Sequence, residues 1–124
     1  MKLRLIILIC GAMALTPALA DDAINTMASI LASLNHFPTD ADKQKLTAIV
    51  EDAGSSEIDK QLAEIIAGIA HQASAADKEK LNAILAEDAA SDESKLIAKA
   101  ILGTMHRPTA EHLKSLHQLI AGGS

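Results

Sequence analysis

Residues Glu57–Ser91, EIDKQLAEIIAGIAHQASAADKEKLNAILAEDAAS, decide the fold, because the stretches on either side are variations of this one. Asp22–Ser56 set above it and Asp92–Ser124 below, without gaps, bring His36, His71 and His106 into one column, 35 residues apart. The same register stacks Leu46, Leu81 and Leu116; Ile49, Ile84 and Leu119; Val50, Leu85 and Ile120; and Thr39, Ser74 and Thr109. Self-similarity at a fixed period of this size is the mark of a helical-repeat architecture.

Each repeat reads as two helices. Ile58, Leu62, Ile65, Ile66 and Ile69 fall on one stripe of a 3.6-residue helix. Met27, Ile30, Leu31 and Leu34 continue it in the repeat before, and Ile97, Ile101 and Met105 in the repeat after, which predicts Met27 and Met105 as core residues. Ala28, Ala63 and Ala98 keep one column small, so that a neighbouring helix can approach closely. Gly68 and Gly103 imply tight packing or an early helix end. Pro38 and Pro108 stop the first helix. Thr39, Ser74 and Thr109 are N-caps for the second, with Asp42 and Asp77 at the capping-box position. The second helices are predicted over about 40–52 and 75–88. Ser56 and Ser91 cap the next first helices, with Glu57 and Asp92 placed to suit the helix dipole.

The expected fold is therefore all-α: three tandem αα-hairpins over 22–56, 57–91 and 92–124, forming a short α-solenoid or a compact six-helix bundle. Gap-free repetition favours the solenoid. The hairpin length resembles that of the tetratricopeptide class, whose members bind peptides and proteins on a concave face, and Leu102-Gly103 echoes its Leu-Gly pair. That resemblance is in architecture only, because the class carries aromatic residues at set positions and this chain has no Trp or Tyr.

Residues 1–20 read as a cleaved signal peptide. Lys2 and Arg4 precede an apolar run too short to span a bilayer, and Ala18-Leu19-Ala20 is a cleavage signal. The expectation is a periplasmic or secreted domain over 21–121, with 122–124 as a flexible end. Cys10, the one cysteine, lies in the leader, so the exported part is free of thiol and disulfide chemistry. All 16 acidic residues lie outside the leader and two basic ones inside it, so the net charge of −5 becomes −7. With that acidity and Phe37 as the only aromatic residue, nucleic acid is not an expected partner.

The residues point to binding without turnover. No nucleophile–His pair has an orienting third group, since Ser115 and His117 project apart, so no enzyme is expected. The acidic junctions Glu51-Asp52 and Glu87-Asp88 lack calcium-loop spacing. The function expected is that of an exported adaptor, chaperone-like factor or inhibitor that docks an envelope protein or peptide, with self-association as a further route. Its surface would use Lys43, Lys45, Lys78 and Lys80 on the second helices together with His36, His71 and His106. In a stacked array each histidine stands in the last turn of its first helix, against the helix dipole. At a helix spacing of about 8–10 Å the three would not share an ion. No cofactor is expected on this reading. The alternative is a periplasmic carrier of metal or small ligands, with Zn²⁺ or Cu²⁺ held by His106, Glu111 and His112 across the Pro108 turn.

Overall fold

The computed structural model describes residues 23–122. The expected leader, with Cys10, and residues 123–124 lie outside that range. The described residues form six helices: α1 (residues 23–32), α2 (Asp40–Glu51), α3 (Glu57–Ala67), α4 (Ala75–Ala86), α5 (Asp92–Leu102) and α6 (Ala110–Gly122). The chain is thus all-α and built as three hairpins, as its period predicts. α6 runs one residue further than expected, through Gly122.

The helix starts follow from their caps. The Thr39 hydroxyl accepts from the Asp42 N–H while Asp42 accepts from the Thr39 N–H, a reciprocal capping box. Ser56, Ser74 and Ser91 accept from the N–H groups of Asp59, Asp77 and Ser94, and Thr109 from that of His112. Each cap satisfies one of the donors a helix N-terminus leaves without an intrahelical partner.

The first helix of each hairpin is the inner one. Met27, Leu62 and Ile97 form one wholly buried column, Ala28, Ala63 and Ala98 a second, and Leu31, Ile66 and Ile101 a third. Ile30, Ile65 and Ala100 are buried as well. These positions cover much more than a single stripe, so each inner helix has neighbours on several sides. The outer helices α2, α4 and α6 contribute a narrower edge, on which Leu46, Leu81 and Leu116 are fully buried.

The three hairpins close on themselves. His71 N–H donates to the His36 carbonyl, His106 N–H to the His71 carbonyl, and His36 N–H to the His106 carbonyl, each at 2.6 Å. The last of these joins the first repeat directly to the third. An open stack of three units has no such contact, so of the two expected arrangements the compact bundle is the one adopted, with a pseudo-threefold axis through the histidines. A second inter-repeat contact lies near the starts of the inner helices. There Ser94 Oγ donates to Asp59 Oδ1 at 3.3 Å, again between positions 35 residues apart.

Candidate metal centre

The histidines are not in the last turns of their helices. α1, α3 and α5 end at residues 32, 67 and 102, four residues before His36, His71 and His106. Gly68 and Gly103 stand at the C-caps of α3 and α5. The chain is then anchored by buried Leu34, Ile69 or Thr104 on one side of the histidine and by buried Pro38, Ala73 or Pro108 on the other. Thr104 meets its burial by donating to the Ala100 carbonyl at 2.7 Å. Between these anchors the loop folds into a tight turn, in which residue 35 pairs with 37, 70 with 72 and 105 with 107. The middle residue takes the left-handed region in every repeat, with φ of 74°, 74° and 70° at His36, His71 and His106. These are the only non-glycine residues with positive φ among those described.

That backbone aims all three imidazoles at the axis. The Nδ1 atoms of His36 and His71 are 3.1 Å apart, those of His36 and His106 3.0 Å, and those of His71 and His106 3.0 Å. The rings stand as propeller blades, with centroids 4.8–5.0 Å apart and planes 75–80° to one another. His71 and His106 are exposed and His36 is half-buried, so the cluster lies at one end of the bundle in reach of solvent.

Three Nδ1 atoms at these distances cannot satisfy one another. Each has a single in-plane site, carrying either a proton or a lone pair. A hydrogen bond needs one of each, and three mutually touching sites cannot alternate. At least one contact therefore sets lone pair against lone pair or N–H against N–H. A cation accepts all three lone pairs and removes the conflict. His36, His71 and His106 would each supply one nitrogen to an ion bound here, at the usual distance of about 2.0–2.1 Å.

The electrostatics favour the ligating form of His36. Its pKa is held below the ordinary imidazole value, first by desolvation and then by the neighbouring His106, His71 and Arg107. A neutral imidazole is the metal-binding species.

The ring geometry corrects the expectation that the equivalent histidines cannot share an ion. Closure replaces the axial spacing of a stack with convergence on one axis. It also redistributes the other expected ligands. His106 belongs with His36 and His71, and among the described residues this is the one group of three or more His, Cys, Asp or Glu within ligating reach. His106, Glu111 and His112 do not form such a group, because His112 is drawn to its own helix end. Its Nδ1 lies 3.0 Å from Thr109 Oγ1, and its ring packs over Gly103, where a β-carbon would meet the ring at 2.6 Å. Glu111 is exposed on α6. Met105, expected in the core, is 67% exposed, because the inner helix ends before it and the loop turns it outward.

The lysines lie elsewhere. Lys43, Lys45 and Lys80 are exposed and Lys78 half-buried on the outer helices, where Lys78 donates to Gln72 Oε1 at 3.0 Å. Lys45 with Asp42, and Lys80 with Asp77, border equivalent shallow grooves between the two helices of their hairpins. The histidine column was visible in the sequence, but its convergence was not, since an identical period describes an open stack and a closed ring. The signal that separates them is the breadth of the buried face at columns 27, 28, 30 and 31.

Comparison with known proteins finds no matching family model, no similar curated protein and no similar solved structure. Fold and site together describe an all-helical, pseudo-threefold hairpin bundle with a three-histidine cluster at one end of its axis.

Proposed function

We propose that the chain is a small metal-binding protein that holds one first-row divalent ion on Nδ1 of His36, His71 and His106. The observation that carries this reading is the triangle of Nδ1 atoms at 3.0–3.1 Å, a spacing that suits a shared ion and frustrates hydrogen bonding. Imidazole ligands suit Zn²⁺, Cu²⁺, Ni²⁺ and Fe²⁺. If the leader is cleaved as its sequence suggests, the setting is the periplasm or the exterior, where such a protein would carry or buffer metal. The test is calorimetric titration of the purified protein with Zn²⁺, Ni²⁺ and Cu²⁺. At least one ion should bind saturably at one per chain, and His71→Asn should abolish that binding, since Asn tolerates positive φ but supplies no imidazole. Equal binding by the variant would end the proposal.

The adaptor reading keeps an independent support. Phe37 and Met105 are large, apolar and 59% and 67% exposed, and each neighbours a histidine of the triad. This shifts the expected contact from the lysine face to the histidine end. A single saturable protein partner that is lost in a Phe37→Ala, Met105→Ala double variant is the outcome this reading requires.

A further inference from the structure

Beside its histidine the third repeat departs from the other two, and the role drawn from that departure rests on the metal reading above. In the first two repeats the loop is pinned two positions before the histidine by an apolar residue, Leu34 or Ile69; in the third that residue is Thr104. A threonine buries less apolar surface there and commits its hydroxyl to the Ala100 carbonyl.

His112 supplies a further hold. It is half-buried in the first turn of α6, and its ring spans the two ends of the loop. At the far end Nδ1 lies 3.0 Å from Thr109 Oγ1, the same hydroxyl that accepts from the His112 N–H at 3.1 Å. At the near end the ring lies over Gly103, where a β-carbon would meet Cε1 at 2.6 Å and Nδ1 at 2.7 Å. Gly103 has an ordinary φ of −86°, so glycine is needed there to make room for the ring and not for its backbone. The second repeat has no counterpart. A β-carbon at Gly68, in the same column, would meet only backbone oxygens at 3.7 Å, and Asp42 and Asp77 stand in the column of His112.

His106 sits midway between the strapped ends, three residues from Gly103 and three from Thr109. Its N–H and its carbonyl make two of the three backbone bonds that close the ring, and its Nδ1 completes the triangle. A ligand binds an ion only as well as the groups behind it fix its orientation. We infer that His112 is a positioning residue. By clasping Gly103 to Thr109 it holds the loop whose apex presents His106 to the ion, without itself touching the ion.

His112→Asp installs the acid that the first two repeats carry, so the helix start keeps a capping residue while the ring is lost. Gly103→Ala should push the same ring aside from the other face. Two readouts separate positioning from stability. In the metal-free variants, amide hydrogen exchange should become several-fold faster at His36 and His106, whose N–H bonds involve this loop. It should stay unchanged at His71, whose bond to the His36 carbonyl does not involve the loop. In calorimetric titration with Zn²⁺, Ni²⁺ and Cu²⁺, each variant should hold the ion that the wild-type protein takes about tenfold more weakly. The double variant should bind no more weakly than the single ones, because both remove one contact. Exchange that rises equally at all three histidines, or wild-type affinity in His112→Asp, overturns the inference and leaves the metal site standing. Failure of Zn²⁺, Ni²⁺ and Cu²⁺ alike to bind the wild-type protein removes both.

Discussion

A histidine held at positive φ costs on the order of 1–3 kcal/mol, and the chain accepts that cost at His36, His71 and His106 alike. Glycine enters the same region freely, so a loop selected for stability alone would carry glycine there. What histidine adds is the ring on the axis. His71→Gly should therefore keep the fold and change stability little, from neutral to a gain of up to about 1 kcal/mol, while metal binding disappears. His71→Ala, which retains the β-carbon and therefore the backbone cost, should stay near wild type and fall below His71→Gly by about 1 kcal/mol. Urea unfolding of the metal-free proteins decides this. A loss of 2 kcal/mol or more in His71→Gly would show that the ring itself supports the fold. The identity of these residues was legible in the sequence, since three histidines in one register column are hard to miss. Their conformation was not, because the turn is set by the buried residues that flank it, Leu34 and Pro38, Ile69 and Ala73, Thr104 and Pro108.

Within the helices, local chemistry was the most readable layer. Thr39, Ser56, Ser74, Ser91 and Thr109 cap where their hydroxyls predict, because capping depends on residues within three positions of one another. The C-terminal ends were less readable. α1 and α5 stop several residues short of the apolar pattern because tertiary anchors at Leu34 and Thr104 take over from the helix. Asp59 is a polar residue at an inner-helix column, buried where Ser94 of the next repeat packs against it. It stands in the first turn of α3, where the dipole and the hydroxyls of Ser56 and Ser94 favour the carboxylate. Its pKa is nevertheless raised, so desolvation outweighs all three. The folded chain thus binds this proton more tightly than the unfolded chain. The stability that protonation contributes is fully present below the ordinary carboxylate pKa and is lost as pH rises through the folded value. Asp59→Asn should be more stable than wild type at pH 7, on the order of 1 kcal/mol, with the difference shrinking towards pH 4. Urea midpoints measured across that range check it. An advantage that grows on acidification would contradict the sign.

On the scale of the molecule, closure distinguishes this bundle from the array that its period suggests. In an array each repeat stabilises its neighbour and the ends are free. Here the first repeat also meets the third, through the His36 N–H bond to the His106 carbonyl. The ring thereby shares each interface between two others, and the histidine triad is the point at which all three repeats touch. An ion at that point binds the closed state and has no preformed site in the unfolded chain, so its binding energy becomes folding energy. At a free concentration about 100 times its Kd, the added stability is about 2.7 kcal/mol. For a domain of this size that corresponds to a rise in Tm of roughly 10–20 °C. The rise should be absent in His71→Gly and should diminish on acidification, as protons compete with metal for the imidazole nitrogens. Scanning calorimetry with and without Zn²⁺ or Ni²⁺, at pH 7.5 and pH 5.5, is the measurement. A metal-induced rise that persists unchanged in His71→Gly would place the ion away from the axis. A rise confined to the wild-type protein and to neutral pH would identify the histidine ring as the clasp that holds the three repeats closed.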